Sequence, residues 1–497
     1  MKNKIRKHVY MGIIFAGLSL ITACSDFLER EPLGRLTQDD LTSGSYESQV
    51  FGLYAAMRNE GMCGAQFLAV HSIRSDDADK GSTLTDGADA EKMYDDFEYM
   101  KDHWLMNGYW SDHYNLINLC NNIISDIEEE GEVDEATLIN KAEAKFFRAY
   151  AYFNLVRTFG EVPKINFKLK EAADGNIPKS SVAEIYELID TDLQEAAEIL
   201  PITWEIKYVG RLTSGAAKAM QAKTQITRSN WNVALAKAQE VISSGVYDLN
   251  TPYDKIFTEK GENCSESIFE IQAYHSLTQS YGTNHATIQG VRGSGDWNMG
   301  WGWNTPSELL ASSYEADDPR KDATLLYAGK VNAPYGETPP APTSNLPRNY
   351  WNKKVYTDPA IRREVNSTFG QWVNIRLIRY ADVVLMAAEA ANELGQTSEA
   401  LNYLEMVRRR ARGSNASILP KVTTTDQGKL RNAIRHERHV EMGMEYDRFY
   451  DLVRWEIDIE VLHAAGKTNY QKKHRYLPIP QPEIDKSNGV LIQNPDY

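Results

Sequence analysis

Cysteine is scarce in this chain, with four residues in 497. Cys63, Cys120 and Cys264 lie far apart and form no CxxC pair, so at most one intramolecular disulfide connects them. This spacing excludes a disulfide-stapled scaffold and any zinc or redox site of the CxxC type.

Basic charge is also in short supply. The chain has 54 lysines and arginines against 69 aspartates and glutamates, which gives a net charge of −15. Nucleic-acid binding needs a basic surface, so a nucleic-acid partner is not expected. At 42% hydrophobic and 25% charged residues, the composition is typical of a globular protein.

Common enzyme motifs are missing as well. There is no GxSxG motif for a serine nucleophile, and Gly293-Ser294-Gly295 lacks the third glycine of a dinucleotide-binding loop. A glycoside hydrolase needs only two carboxylates at a suitable separation, which a sequence does not reveal. A surface glycoside hydrolase therefore stays open as an alternative.

The longest apolar run lies at the N-terminus. Four basic residues among the first seven precede Val9–Ile21, and Thr22-Ala23-Cys24 follows. This pattern predicts a signal peptide over residues 1–23 that is too short to span a bilayer. Its ending resembles the lipobox of bacterial lipoproteins, which predicts that Cys24 carries the lipid. Cleavage would remove four basic and no acidic residues, lowering the charge from −15 to −19.

Helical periodicity dominates the rest of the chain and predicts a mostly α fold. Residues 143–159 repeat aromatic side chains at three- and four-residue spacing, and Ser181 with Glu184 forms a capping box for the next helix. Small residues near Met220 recur near Met386, which predicts two similar helix hairpins. We expect a tether over residues 24–44 and one domain over 45–497, with a helical part (45–245), a loop-rich part (246–375) and a second helical part (376–497).

Several ordered segments resemble the SusD/RagB family of outer-membrane nutrient-binding lipoproteins. They are EAKFFRAYAYFNLVRTFGEVP from Glu143, RLTSGAAKAMQAK from Arg211, IRYADVVLMAAEAANELG from Ile378, ALNYLEMVRRRA from Ala400, IRHERHVEMGMEYDRFYDLVRW from Ile434, and the terminal YLPIPQPEIDKSNGVLIQNPDY. The resemblance implies a helical scaffold with tetratricopeptide-like helix pairs. It also implies a lipid-anchored, cell-surface protein of the outer membrane that captures oligosaccharide or polysaccharide and delivers it to a SusC-like TonB-dependent transporter. Some relatives suggest peptide as the cargo instead, and no catalysis is implied.

Three tryptophans in the loop-rich part are the main candidates for ligand binding. Trp297, Trp301 and Trp303 alternate with glycine and asparagine, so they have no helical face to bury. If the segment is extended, Trp301 and Trp303 lie on one side. The flat C–H face of a sugar stacks on an aromatic plane, and its hydroxyls need polar partners. The neighbouring polar candidates are Asp296, Asn298 and Asn304.

A second candidate region precedes the first long helix. Asp76, Asp77 and Asp79 would accept hydrogen bonds from sugar hydroxyls or help to hold calcium, although a solvated acidic loop is the favoured interpretation. Trp104 is a further candidate for ligand contact. Trp110 is expected in the core. No cofactor is expected, and a structural calcium is not indicated.

The run His436-Glu437-Arg438-His439 resembles a metal-binding helix only superficially. A zincin motif places its histidines four residues apart on one helix face, whereas these are three apart. The surrounding arginines and glutamates instead predict a salt-bridged helix face. No metal is expected here.

Overall fold

The computed structural model describes residues 46–83 and 85–497. The predicted leader, Cys24 and the whole of the predicted tether lie outside the described residues. The helices are α1 (Tyr46–Ala56), α2 (Glu60–Cys63), α3 (Ala65–Leu68), α4 (Ala88–Tyr94), α5 (Trp104–Glu130), α6 (Glu135–Phe159), α7 (Val182–Ile199), α8 (Ser214–Thr227), α9 (Trp231–Ser243), α10 (Tyr253–Ile256), α11 (His285–Gln289), α12 (Glu308–Ser313), α13 (Pro319–Thr324), α14 (Pro359–Glu364), α15 (Tyr380–Glu393), α16 (Thr397–Arg412), α17 (Gln427–Met442), α18 (Arg448–Arg454), α19 (Asp458–Ala464) and α20 (Gln481–Lys486).

The strands are short and pair two by two. They are β1 (Ala78–Gly81), β2 (Val162–Pro163), β3 (Lys179–Ser180), β4 (Ser267–Ile271), β5 (Tyr274–His275), β6 (Ser280–Tyr281), β7 (Trp303–Pro306), β8 (Leu325–Tyr327), β9 (Tyr350–Asn352) and β10 (Ile375–Arg379). The antiparallel pairs are β1–β7, β2–β3, β4–β10, β5–β6 and β8–β9. The mostly α architecture predicted from periodicity is therefore confirmed.

Helix α6 runs through the centre of the N-terminal half. Asp134 caps its first turn by accepting from the backbone N–H of Thr137, and Gly160 ends it with φ +75°. The aromatic stripe predicted for this helix is buried, together with most of the other side chains from Ala142 onward. Because α5, α7 and α1 pack around it, α6 buries nearly its whole circumference and not one face.

The predicted helix hairpins are present. α8 and α9 form the first, α15 and α16 form the second, and α9 packs against α15. Ala222, Ala234 and Ala238 are fully buried at these contacts, as are Ala388 and Ala400. Small side chains let the paired helices approach closely, which is the packing that the repeated sequence pattern predicts.

The C-terminal half buries an unusual number of paired charges. Arg379 Nε donates to Glu445 at 2.6 Å, and its Nη1 pairs with Glu441 at 3.1 Å. Arg320 pairs with Glu437 at 2.6 Å and also contacts Glu441. Removing one partner of such a buried pair leaves an uncompensated charge, so these pairs fix how α13, α15 and α17 meet.

Residues between α9 and α15 contain no helix longer than six residues. Two strand pairs attach this region to the helices. β4 joins β10, which leads directly into α15, and β7 joins β1, which follows the buried turn Ala69–Ile73. The tryptophan segment precedes β7, and this pairing holds it against the N-terminal helices.

Candidate functional site

The tryptophan segment is a tightly folded loop, not an extended strand. It begins with a single 3₁₀ turn at Gly295–Trp297, and Gly302 adopts φ +70° immediately before β7. A Cβ on Gly300 would lie 2.7 Å from the carbonyl carbon of Thr287 and closer still to its oxygen. Glycine is therefore required here because the backbone of the loop touches the backbone of α11.

Trp301 and Trp303 touch each other but have opposite environments. Their rings are 5.5 Å apart at 71°, an edge-to-face pair. Trp301 is 39% exposed, whereas Trp303 is 4% exposed and donates from Nε1 to Asp86 at 3.0 Å. The expectation that both indoles face one side as a platform is wrong, because Gly302 turns the backbone and sends Trp303 into the core.

Trp297 and its polar neighbours lie on the surface at the other end of the loop. The Trp297 ring is half-buried and lies parallel to Tyr356, with centroids 6.4 Å apart. Asp296 and Asn298 are exposed on either side of it. The Asn298 carbonyl accepts from Thr368 Oγ1 at 2.5 Å, so this end of the loop is fixed while both polar side chains face solvent.

Asn304, the third polar candidate beside the tryptophans, is fully buried in β7. Its Nδ2 donates to Gln289 at 2.7 Å, and its Oδ1 has no partner in the described residues. It holds a left-handed conformation with φ +52°. A direct contact between this side chain and a surface ligand is therefore ruled out by burial.

Trp104 is the most exposed of the candidate tryptophans, at 46%. It is the first residue of α5, after His103, whose Nδ1 accepts from the N–H of Leu105 at 3.3 Å. The Trp104 indole N–H donates to Asp89 at 3.2 Å, which fixes the ring while leaving much of it open to solvent. Trp110 is buried in the core, as predicted.

Asn107 lies beside Trp104 but adds no free polar atom to the surface. It lies three residues further along α5, so both side chains share one helix face. Its Nδ2 donates to the carbonyl of Asp102 at 3.1 Å, while its Oδ1 is buried and has no partner in the described part of the chain. Burial therefore keeps this oxygen from a ligand on the surface.

The segment from Asp86 to Asp89, which ends in the first turn of α4, contacts both exposed tryptophan regions. Asp86 Oδ2 accepts from Arg292 at 2.8 Å and from Trp303 at 3.0 Å. Burial by itself would raise the pKa of Asp86. The contacts with Trp303 and Arg292 and a hydrogen bond from Ser82 outweigh burial, so the pKa is lower than usual. The pKa of Asp89 is also lowered, because the backbone N–H of Ala90 and the neighbouring His103 outweigh its burial. Both carboxylates are therefore ionised at neutral pH.

The solvated acidic loop predicted around Asp76 and Asp77 is wrong, because both carboxylates are buried. Asp76 forms a bidentate pair with Arg448, at 2.8 Å for each contact, which lowers its pKa to about 2 despite its burial. Asp77 contacts His439 Nε2 at 2.6 Å. These groups bind the segment before β1 to α17 and α18, so they are not available to a surface ligand.

The same three residues form the one cluster of metal-ligand type within residues 46–83 and 85–497. Atoms of Asp76, Asp77 and His439 lie within 4.8 Å of one another. Arg448 already occupies both oxygens of Asp76, and a cation would have to displace it. The donor set therefore fits a structural ion-pair cluster better than a metal site. Asp79 lies apart, half-exposed, with Arg348 at 3.7 Å.

The predicted salt bridges of the helix around His436 are present, but most are buried. Glu437 accepts from Arg408 and Arg320, and Arg438 pairs with Asp451 at 2.7 Å. His436 lies 3.8 Å from Glu315 on the outer side of α17, away from the contact between His439 and Asp77. The two histidines therefore do not converge on one site.

Grooves elsewhere on the described residues differ in chemistry from the tryptophan regions. One of about 450 Å³ lies against α7, α8 and α9 and is lined by polar side chains such as Gln194, Gln221 and Gln225. No aromatic side chain lines it. Flat aromatic surface is found instead at Trp301 and Trp104, so these mark the candidate binding surface.

The described residues show two further features, which concern the cysteines and membrane-spanning helices. The cysteines Cys63, Cys120 and Cys264 are all free thiols. Across residues 46–83 and 85–497, no helix combines the length and the apolar character that crossing a bilayer requires.

Comparison with known proteins adds evidence on the family. The sequence model of the SusD family matches residues 265–497, and one described as "Starch-binding associating with outer membrane" matches residues 26–226. SusD-like protein P2 of Formosa agariphila is 30% identical over 97% of this chain and 98% of its own length. SusD-like protein P25 of the same organism is 26% identical over 98% of this chain and 97% of its own length.

Solved structures agree with the sequence comparison. A laminarin-binding SusD-like protein is 26% identical, with a TM-score of 0.74 over 91% of this chain and 99% of its own. Surface glycan-binding protein A from Bacteroides thetaiotaomicron, in complex with laminarihexaose, has the same fold at 24% identity, with a TM-score of 0.76 over 91% and 100% of the two chains. This chain belongs to the SusD family.

Proposed function

We propose that this protein binds glycan non-covalently at the cell surface through Trp301 and Trp104. The observation that carries the proposal is that both exposed indoles are held in place. The Trp301 ring is held through its backbone and through its edge-to-face contact with Trp303, and the Trp104 ring is held by a hydrogen bond from its own indole N–H. Trp301 donates its backbone N–H to Thr287 at 2.9 Å, and the Trp104 indole donates to Asp89. A rigid, exposed aromatic face loses little conformational entropy when a ligand stacks on it.

The surrounding groups suit a sugar better than a purely apolar ligand. Asp296 and Asn298 flank Trp297 on the surface. A sugar hydroxyl that leaves water needs such donors and acceptors, whereas its C–H face stacks on indole. Membership of the SusD family and the likeness to a laminarin-binding relative support glycan as the ligand class.

The delivery step is part of the same proposal. We infer an outer-membrane protein that is anchored through lipid on Cys24 and passes its cargo to a SusC-like TonB-dependent transporter. The outer-membrane description of the matching sequence model supports the location. Labelled palmitate should enter the full chain and not the Cys24→Ala variant. Pull-down of a TonB-dependent transporter with the tagged protein from outer membranes tests the partner.

The ligand class is tested by calorimetry on the chain without residues 1–24. Laminarin oligosaccharides, starch oligosaccharides and a peptide panel serve as probes, with product analysis to detect hydrolysis. We expect heat from at least one glycan, none from peptides, and no cleavage. Binding of peptides alone would replace glycan with peptide as the cargo, and cleavage lost on carboxylate substitution would establish a glycoside hydrolase.

Two substitutions then locate the binding surface. Trp301→Ala and Trp104→Ala should each weaken binding about 10- to 100-fold, since truncating an aromatic hot spot costs roughly 2 kcal/mol. Phe167→Ala is the matched control, because Phe167 is another exposed aromatic side chain that takes no part in this surface. If both tryptophan variants kept wild-type affinity, the assignment of the surface would be wrong.

A further inference from the structure

The short segment from Asp86 to Asp89, which ends in the first turn of α4, makes hydrogen bonds to both tryptophan regions. Asp86 Oδ2 accepts from Ser82 Oγ at 2.8 Å, from Arg292 Nη1 at 2.8 Å and from Trp303 Nε1 at 3.0 Å. Arg292 Nη1 also donates to the backbone carbonyl of Trp301 at 3.3 Å. One carboxylate oxygen therefore links this short segment to both ends of the Trp301–Trp303 segment.

Three residues after Asp86, Asp89 makes hydrogen-bonding contacts with the region of Trp104. Its Oδ2 accepts from the Trp104 indole N–H at 3.2 Å and contacts His103 Nε2 at 3.2 Å. The Cα atoms of Asp86 and Asp89 are at most about 11 Å apart, since each residue spans about 3.8 Å. The two exposed indoles are thus held from adjacent points of one backbone segment.

Gly87, between the two aspartates, fixes the packing of this segment. Its φ is +63°, and a Cβ at this position would lie 2.9 Å from one carbon of the Trp303 ring and closer to another. The buried Trp303 ring therefore lies close against the backbone at Gly87. Because Trp303 also contacts Trp301 edge to face, a shift of this segment would change the position of Trp301.

We infer that Asp86 and Asp89 are positioning residues that orient Trp301 and Trp104, respectively, for ligand. This inference rests on the proposed function, and it assigns a role to two carboxylates that need not touch the ligand. Asp86 acts through Arg292 and Trp303, and Asp89 acts directly on the Trp104 indole. Their low pKa keeps both charged at neutral pH, which strengthens hydrogen bonds to arginine and indole donors.

The positioning role predicts a specific pattern of coupling. Asp86→Asn should weaken the binding of laminarihexaose about 5-fold when Trp301 is present and less than 2-fold in the Trp301→Ala background. Asp89→Asn should show the same dependence on Trp104. The crossed pairs, Asp86 with Trp104 and Asp89 with Trp301, should be additive, because residues without shared contacts usually are.

These double-mutant cycles are measured by calorimetry with laminarihexaose. Asp102→Asn is the matched control, since it removes an exposed charge two residues from Trp104 and should leave the affinity within about 2-fold. If Asp86→Asn weakened binding by the same factor with and without Trp301, the carboxylate would act on the ligand itself. That result would overturn the positioning role.

A measurement without ligand separates this inference from the proposed function. In the ¹⁵N-tryptophan spectrum, Asp86→Asn should shift the indole signals of Trp303 and Trp301 and leave that of Trp104 unchanged. Asp89→Asn should do the reverse. If these shifts occur and no glycan binds, the proposed function fails while the positioning contacts stand. If neither variant moves its assigned indole signals, the positioning role is wrong whatever the protein binds.

Discussion

The close contact at Gly300 allows a sharp test of the geometry of the tryptophan loop. We predict that Gly300→Ala destabilises the protein, because the new methyl would meet the backbone of Thr287. Gly300 does not adopt positive φ, so the cost is steric and not conformational. The carbonyl group that it would strike also accepts the backbone N–H of Trp301 at 2.9 Å.

The magnitude follows from these two contacts. Backbone atoms do not swing aside as a flexible side chain does, so the loop and α11 would have to separate. Overpacking of this kind costs about 1–3 kcal/mol, and loss of the hydrogen bond between Trp301 and Thr287 adds about 1 kcal/mol. We therefore expect the free energy of unfolding to fall by about 2–4 kcal/mol. Glycan affinity should fall as well, because Trp301 moves with the loop.

Urea denaturation followed by circular dichroism measures the change in stability. Gly52→Ala is the matched control, since its added Cβ meets no atom within 4 Å and lies within helix α1. That variant should be more stable than wild type by about 0.5–1 kcal/mol. If Gly300→Ala unfolded within about 0.5 kcal/mol of wild type, the close approach between the loop and α11 would be refuted.

Three further predictions follow from the same structure. In urea titration, Trp303→Ala should lower the free energy of unfolding by about 3–5 kcal/mol, whereas Trp301→Ala should lower it by less than about 1 kcal/mol, because only Trp303 is buried. Equal losses in the two variants would contradict the assigned burial. Burial raises the pKa of Glu262 to about 8, so the wild type should lose stability as pH rises from 4.5 through 8. The Glu262→Gln variant should be at least about 1 kcal/mol more stable than the wild type at pH 9, and it should have no such advantage at pH 4.5. The lowered pKa of Asp76 means that its pairing contributes stability above pH 3.8, and this stability is lost as pH falls toward 2. Asp76→Asn should therefore unfold more readily than the wild type at pH 7, and thermal melts should show that difference shrinking below pH 4. A difference that stayed constant with pH would argue against the ion pair with Arg448.

The helical part of the fold was predictable because its signals are local. The capping box at Ser181 and Glu184 depends on residues within one helical turn. The stripe in α6 lies within one helix, and each copy of the repeat near Met220 and Met386 lies within one helix pair. The structure confirms them in place. The aromatic stripe predicted one buried face for α6, whereas nearly its whole circumference is buried. The number of helices that pack around α6 depends on contacts between distant segments.

The candidate site was predictable only in part. Composition correctly drew attention to the loop of Trp297, Trp301 and Trp303, but it did not reveal that Trp303 is buried. That outcome depends on the φ of Gly302 and on the hydrogen bond to Asp86, a residue 217 positions away. The buried pairs of Asp76 and Asp77 with Arg448 and His439 likewise join segments more than 360 residues apart.

The sequence by itself determined the mostly helical class, the paired hairpins, the acidic charge and the family, since each is carried by local periodicity, composition or ordered motifs. The tertiary structure decided which carboxylates hold the fold together and which indoles reach solvent. It also brought Asp86 to Trp303 and Arg292, and Asp89 to Trp104. The physical reason is that burial and hydrogen bonding depend on which distant segments meet, and no single segment encodes its partners.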